Sequence, residues 1–247
     1  MLLKATPDKG GQLRQSARRW QAVHVVDHSR EHSAQPGFEH HEAAAAKNAP
    51  AQWDQRYAGS EQLWSGRPNG ALVAEVQALP AGRALDVGCG EGADAVWLAS
   101  QGWAVTGLDV SGVALARAAV HARDAGVHVD WLHAGLTEAA LPDGGFDLVS
   151  AQYPALLRTP GHEAERALIA AVAPGGVLLV VHHAGFEARP DTDGFDPADY
   201  VSPADVAALL DDDWQTVVNE TRPREIPDSG AGAHHSHDVV VRARRLR

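Results

Sequence analysis

Ala84-Leu-Asp-Val-Gly-Cys-Gly-Glu-Gly-Ala93 is a short apolar run that breaks directly into a turn holding three glycines. The run Ala84 to Val87 reads as a buried strand, and Ala93 to Ala99 as a helix stopped by Gly102. A glycine-rich turn between strand and helix lets the backbone lie against a ligand, and the helix N-terminus presents unpaired N–H groups to it.

The same alternation extends in both directions. Upstream, Pro68 and Asn69 open a helical pattern with Leu72, Val73, Val76 and Leu79 on one face, closed by Pro80 and Gly82. Downstream, Ala104 to Leu108 is a second strand ending on Asp109, and Ser111 caps a helix through Ala125 with Gly126 after it. Val127 to His133, Phe146 to Ala151 and Gly176 to Val181 make three more strands, with helical Glu163 to Val172 before the last. Ser202-Pro-Ala-Asp205 opens a further helix, and Trp214 to Glu220 and His237 to Arg244 read as closing strands. Strands alternating with helices predict an α/β, doubly wound, mostly parallel sheet. The turn-rich link Arg222 to Gly232 lacks a helical pattern, so the last two strands are expected to form an antiparallel hairpin.

Composition bounds the function. The chain has 247 residues with 45% hydrophobic and 21% charged, a globular balance sized for one α/β domain and an appendage. One Cys excludes a disulfide framework and a cysteine-built zinc site. The net charge of −11 argues against nucleic acid as substrate. No apolar stretch reaches the roughly 18 residues of a membrane helix, and no secretory signal follows the early basic residues. A cytoplasmic protein acting on something small is expected. Residues 1–50, with five of the fourteen His and the run Glu42-Ala-Ala-Ala-Ala-Lys47, read as a partly helical or mobile extension ahead of a domain over 51–247.

In an open parallel sheet, ligands bind at the carboxyl ends of the strands. Those ends carry the glycine turn, Asp109, the pair Gly135-Leu136, then Gln152, Tyr153 and Pro154, and finally His182 and His183. The glycine pattern Gly88-x-Gly90-x-x-Ala93, with Asp109 about 20 residues on, satisfies a dinucleotide fingerprint. Asp86 opposes that reading, because a carboxylate two residues before the first glycine repels a pyrophosphate and suits an ammonium group. The terminal hairpin opposes it too.

Four blocks in order, Ala84 to Ala93, Val105-Thr-Gly-Leu-Asp-Val-Ser111, Leu141-Pro-Asp-Gly-Gly-Phe-Asp-Leu-Val149 and Ala173-Pro-Gly-Gly-Val177, resemble the class I S-adenosylmethionine-dependent methyltransferases. Trp53-Asp-Gln-Arg-Tyr57 and Leu63-Trp-Ser-Gly-Arg-Pro-Asn69 look like the cap (51–80) of a small-molecule branch near the thiopurine and tellurite-resistance methyltransferases. The fold this implies is a Rossmann-like sheet of seven strands with the antiparallel hairpin at its end. The cofactor it implies is S-adenosyl-L-methionine, and the partner a small-molecule methyl acceptor, with no nucleic acid or membrane and a monomer or homodimer as the assembly.

Residue by residue, the resemblance assigns Asp86 to the methionine amino group, with Gly88, Cys89 and Gly90 forming the loop against the cofactor. Asp109 takes the ribose hydroxyls and Val110 packs on adenine. The family's acid after the third strand is absent at Gly135-Leu136, which leaves adenine to the Leu136 backbone or to a compensating group such as His133. Gln152 and Tyr153 line the methionine and transfer side, and Trp64 matches an aromatic that folds over the cofactor.

Plainer roles stand beside these. Asp109 also suits a partner for the next helix dipole, Trp64 hydrophobic cover, and Cys89 a small residue that fits. Trp97 and Trp103 read as core. Of His182 and His183, at most one is expected to face the crevice, since neighbours in a strand point oppositely. That one is either a general base or a structural strand-end histidine. A thiol, amine or soft anion needs no base, whereas a hydroxyl or phenol does, and His182, His183 or Tyr153 are then the candidates. His24, His28 and His32 at i, i+4, i+8, with His40-His41 and His234-His235-x-His237, read either as a solvated surface or as a metal- or pH-responsive site. Two rival functions stay open: a nicotinamide-dependent oxidoreductase, and a non-catalytic relative that binds metal through its histidines.

Overall fold

Ala84 packs on one face of the sheet while Leu85 and Val87 pack on the other, so the first strand is buried on both sides and must lie at the centre. The computed structural model describes residues 50–185, 196–224 and 235–247. Helices α1 (Pro50–Ala58) and α2 (Gly70–Val76) precede strand β1 (Arg83–Val87). Then come α3 (Ala93–Ser100), β2 (Ala104–Asp109), α4 (Gly112–Asp124), β3 (Asp130–His133), β4 (Phe146–Gln152), α5 (Glu163–Ala171) and β5 (Val172–His183). A 3-10 turn (Pro197–Asp199), α6 (Pro203–Ala208), β6 (Trp214–Pro223) and β7 (His237–Arg245) complete the order.

The seven strands run β3-β2-β1-β4-β5-β7-β6, parallel from β3 to β5, with β7 antiparallel to both β5 and β6. Sheet class and hairpin therefore match the sequence reading. Two strands start several residues away from that reading. β3 begins at Asp130 rather than Val127, because Gly126 (φ 69°) turns the chain and the Val127 N–H still donates to the Ala122 carbonyl of α4. β5 runs from Val172, since Arg245 Nη1 and a register shift opposite Phe146 and Leu148 keep the Pro174-Gly175-Gly176 stretch in the sheet.

Leu72, Leu98 and Ala122 bring α2, α3 and α4 to one face; Leu168 and Val206 bring α5 and α6 to the other. Along β5 the alternation is direct, with Leu179 and Val181 on the first face and Leu178 and Val180 on the second. Ser111 caps α4 by accepting from the Ala114 N–H, and Ser202 with Asp205 forms a reciprocal box at α6. β1 has β2 on one side and β4 on the other, so the strand order reverses between β1 and β4. That reversal opens a crevice beyond Val87 and Gln152.

Candidate active site

Beyond β1 the chain turns through Gly88, Gly90 and Gly92, all at positive φ (69°, 53° and 83°). The Gly88 and Cys89 N–H groups donate to the Leu108 carbonyl at 2.8 and 3.0 Å, so the loop is pinned to the end of β2. Gly90 is required twice over, since a Cβ there would sit 2.8 Å from the Tyr57 hydroxyl.

Asp109 completes the loop. One carboxylate oxygen accepts from the Gly90 N–H and the other from the Ser111 N–H, both at 2.8 Å. The dipole role and the helix cap coexist: Asp109 takes the Ser111 N–H while the Ser111 hydroxyl takes the Ala114 N–H. Burial raises the Asp109 carboxyl above its usual range.

Asp86 is buried, and its Oδ2 has no hydrogen-bond partner among the described residues. Burial, followed by the charges of Asp94 and Asp109, pushes its carboxyl well above the ordinary carboxylate range. Three acids thus converge beneath one loop. Burial also pushes up the Cys89 thiol, so this cysteine is a space-filling residue and no thiolate.

The cap reaches this loop through acids that the sequence reading did not assign. Glu91, 3% exposed, accepts from the Leu63 and Trp64 N–H groups (both 3.1 Å to Oε2) and pairs with Arg117 at 2.8 Å. Arg117 also donates to the Tyr57 and Ser60 carbonyls at 2.8 and 2.6 Å. Asp94 takes both the N–H and the side-chain amide of Asn69 at 2.7 Å. Asp54 accepts from the Ser111 hydroxyl (2.7 Å) and the Val113 N–H (3.1 Å), which ties α1 to the start of α4. Trp64 donates to the Tyr57 hydroxyl at 2.9 Å and keeps 38% of its surface exposed, at the rim.

After β3, His133 Nε2 lies 2.9 Å from the Val110 carbonyl and braces the turn after β2. The Glu138 carboxylate fills the space a Cβ on Gly135 would take. An acid therefore stands over Gly135-Leu136 after all, three residues later and lining the cavity.

The opposite end is built by β4, β5 and the hairpin. Gln152 is buried and donates to the Ser150 hydroxyl at 3.0 Å, leaving its Oε1 without a partner among the described residues. Tyr153 adopts φ 52°, a strained value for a side-chain-bearing residue, and its hydroxyl donates to Asp238 Oδ2 at 2.9 Å. Its ring stacks on His183 (centroids 4.2 Å apart), which stacks in turn on His235 (3.9 Å). Arg224 lies 5.2 Å over the Tyr153 ring. Asp238 and Arg224 were not assigned from sequence, and His235 was read only within the cluster His234-His235-x-His237; the β5–β7 pairing brings Asp238 here. Both His182 and His183 line the cavity, against the expectation of one, because they end the strand where both faces open onto the crevice.

The cavity joining the two ends measures about 1590 Å³, more than the several hundred Å³ one small ligand occupies. It has room for a cofactor and a second molecule. Among the described residues no group of three His, Cys, Asp or Glu is placed to hold a metal. His24, His28, His32, His40, His41 and His234 lie outside the described residues. No helix among them is long and apolar enough to cross a membrane.

Residues 84–176 match the protein family described as the methyltransferase domain. An uncharacterized methyltransferase of Mycobacterium bovis is 39% identical over 97 residues, 39% of this chain and 48% of that one. The chain thus spans about half the length of the first curated relatives it matches. A 2-heptyl-1-hydroxyquinolin-4(1H)-one methyltransferase of Mycobacteroides abscessus is 28% identical over 176 residues, covering 68% of this chain and 74% of that one. In fold, the N-methyltransferase NodS of Bradyrhizobium japonicum, solved with S-adenosyl-L-homocysteine, superposes with TM-score 0.59 at 18% identity over 81% of this chain and 100% of NodS.

Proposed function

We propose, from the match of residues 84–176 to the methyltransferase domain, that the protein transfers a methyl group from S-adenosyl-L-methionine to a small molecule. The observation that carries this reading is the Asp86 carboxylate, buried with an unpartnered oxygen beside Asp94 and Asp109. Such a group is short of a cation, and the methionine ammonium of the cofactor supplies one at that end of the crevice. A pyrophosphate there would add negative charge to three acids, which counts against the nicotinamide alternative. The metal-binding alternative has no cluster among the described residues to rest on.

The remaining residues fit the same ligand. Asp109 retains acceptor capacity for the ribose hydroxyls while the Gly90 and Ser111 N–H groups hold it in place. Glu138 is placed for the adenine amino group, Val110 and Leu136 for its ring. Gln152 Oε1 is a spare acceptor on the methionine side. The cap closing on Glu91, with Trp64 at the rim on the buried Tyr57, supports the small-molecule branch near the thiopurine and tellurite-resistance enzymes.

When bound, the cofactor supplies a methyl group on a sulfonium, already activated for displacement. The chain's residues then have to align the acceptor behind that methyl and exclude water, which is where most of the rate advantage of such a site arises. Trp64, donating to the buried Tyr57 hydroxyl, closes the rim and Asp109 fixes the ribose. Titrating S-adenosyl-L-homocysteine into the protein by calorimetry tests the reading. Binding that is lost in Asp109→Ala and weakened in Asp86→Asn is expected; equal affinity in all three proteins would refute it.

A further inference from the structure

The two ends of the cavity carry opposite charge. Asp86, Glu91, Asp94 and Asp109 line the cofactor end, whereas Arg224, His182, His183 and His235 line the other. Arg56 of α1 reaches that second end from the cap, since it lines the same cavity and its charge acts on the buried Tyr200. Two acids lie nearby, and both are engaged. Asp238, 3% exposed, accepts from the Tyr153 hydroxyl at 2.9 Å and takes the Nε side of Arg224 at 3.5 Å. Glu163 is exposed and accepts from the Thr159 hydroxyl. In a chain of net charge −11, arginines from two elements at one cavity end set a local field against the average.

Hydrogen bonds fix which ring nitrogens carry protons here. His182 Nδ1 accepts the His183 N–H at 2.9 Å, so its proton sits on Nε2, and burial lowers this histidine to about 4 and keeps it neutral. Arg224 Nη1 lies 3.4 Å from His183 Nδ1. A guanidinium only donates, so Nδ1 accepts and the His183 proton also sits on Nε2. Asp238 Oδ1 lies 3.4 Å from the same nitrogen but makes no hydrogen bond among the described residues. The Tyr153 hydroxyl gives its proton to Asp238, and burial with the Asp238 charge holds it protonated. The two histidines therefore line the cavity as N–H donors beside a guanidinium, and neither ring is set to take a proton.

We propose that the methyl acceptor is a small organic anion and that Arg224, with the Nε2–H groups of His182 and His183, holds its carboxylate. The assignment rests on the methyl-transfer reading above and names the chemical class of the acceptor. A guanidinium presents its donors in a planar fork that matches a carboxylate. Here the fork is held in one orientation, 5.2 Å over the Tyr153 ring, with Asp238 on its Nε side and His183 at Nη1. The His183 ring is itself clamped between Tyr153 and His235, with centroids 4.2 and 3.9 Å away. Pro154, Leu156 and Leu157 wall the same end, so the rest of the acceptor is apolar. Apolar walls also strengthen a charge pair relative to water. A neutral molecule of the same shape forgoes that pairing, and a cation meets Arg224 and Arg56 head on.

The test uses the full chain saturated with S-adenosyl-L-homocysteine, whose own binding is measured first in each protein. Its absence from the wild type sinks the methyl-transfer reading itself, whereas intact binding with failure below sinks only the anion site. Calorimetry then compares 2-naphthoate, 2-naphthamide and 2-naphthylmethylammonium, which share a ring system and differ in charge. The carboxylate is expected to bind at least about tenfold tighter than the amide, and the ammonium weakest of the three. Arg224→Gln should abolish that preference, Arg224→Lys should restore part of it, and Arg56→Gln on the exposed cap helix should reduce it about threefold. Where Arg224→Gln does not fold, the charge-balanced pair Arg224→Gln with Asp238→Asn takes its place. Equal affinity for carboxylate and amide, tightest binding of the ammonium, binding of none of the three, or a preference that survives the loss of Arg224 would each overturn the proposal. In ¹⁵N-labelled wild type, long-range proton–nitrogen correlation, assigned with His183→Gln, is expected to place the neutral proton on Nε2 of both His182 and His183. An Nδ1 proton on His183 would overturn the donor arrangement whatever the probe.

Discussion

The two ends of the crevice are made differently. The cofactor end is local: Asp86 through Asp94 and Asp109 through Ser111 lie within 26 positions of one another, and backbone N–H groups hold the key carboxylates. The acceptor end is assembled from afar, with Tyr153 and Asp238 85 residues apart and joined only because β7 inserts beside β5. The first end is short of positive charge; the second pairs Asp238 with Arg224 and a histidine. A site built this way can hold one cofactor geometry fixed while its acceptor end varies with the hairpin.

Asp109→Ala should break the first end most completely. It removes two backbone hydrogen bonds and the ribose acceptor together, and S-adenosyl-L-homocysteine affinity should fall about 100-fold or more by calorimetry. A loss below tenfold would mean that the loop keeps its shape without Asp109.

Acid should separate the ends next. His182 at the acceptor end is held at about 4 against an ordinary 6.5, so the unfolded chain takes up that proton first as pH falls. Its contribution is present above about pH 6.5 and is lost on the way down to about 4, a change of roughly 3 kcal/mol. The raised carboxyls of the cofactor end push the other way and are common to both proteins compared. Urea unfolding at pH 7 and 4.5 should therefore show a steeper acid loss in the wild type than in His182→Gln. Identical slopes would place His182 in water.

Asp86→Asn sharpens the contrast because its two effects have opposite signs. Removing a buried, unpartnered charge should raise the melting temperature of the ligand-free protein, while cofactor affinity falls about tenfold. At the acceptor end, removing Asp238 in the same way should lower the melting temperature, because its carboxylate accepts from the Tyr153 hydroxyl and pairs with Arg224. Trp64→Ala, at the rim, should cost least, about 1 kcal/mol of cofactor affinity.

This contrast also explains what the sequence made legible. The alternation of strands and helices, the closing hairpin and the Asp86–Asp109 loop follow from glycine placement and period, which are short-range signals. Glu91, buried inside the motif, was legible only as part of a turn, since its partners Leu63, Trp64 and Arg117 lie 26 to 28 residues away on two other elements. Asp238 and Arg224 carried no motif, His235 stood only in a histidine cluster read as surface or metal site, and the β5–β7 pairing makes Asp238 a neighbour of Tyr153. Glu138 escaped because the reading looked for an acid directly after β3, while the structure brings one back over Gly135 from the next turn.

The central claim is that the acid-rich end receives an adenosyl sulfonium. Melting temperatures measured in parallel with S-adenosyl-L-homocysteine, S-adenosyl-L-methionine, NADH and NADPH test it most directly, because a ligand bound only by the folded chain raises the transition. A rise with the two adenosyl compounds alone is the expected result. A rise with a nicotinamide cofactor, or with none of the four, would contradict it.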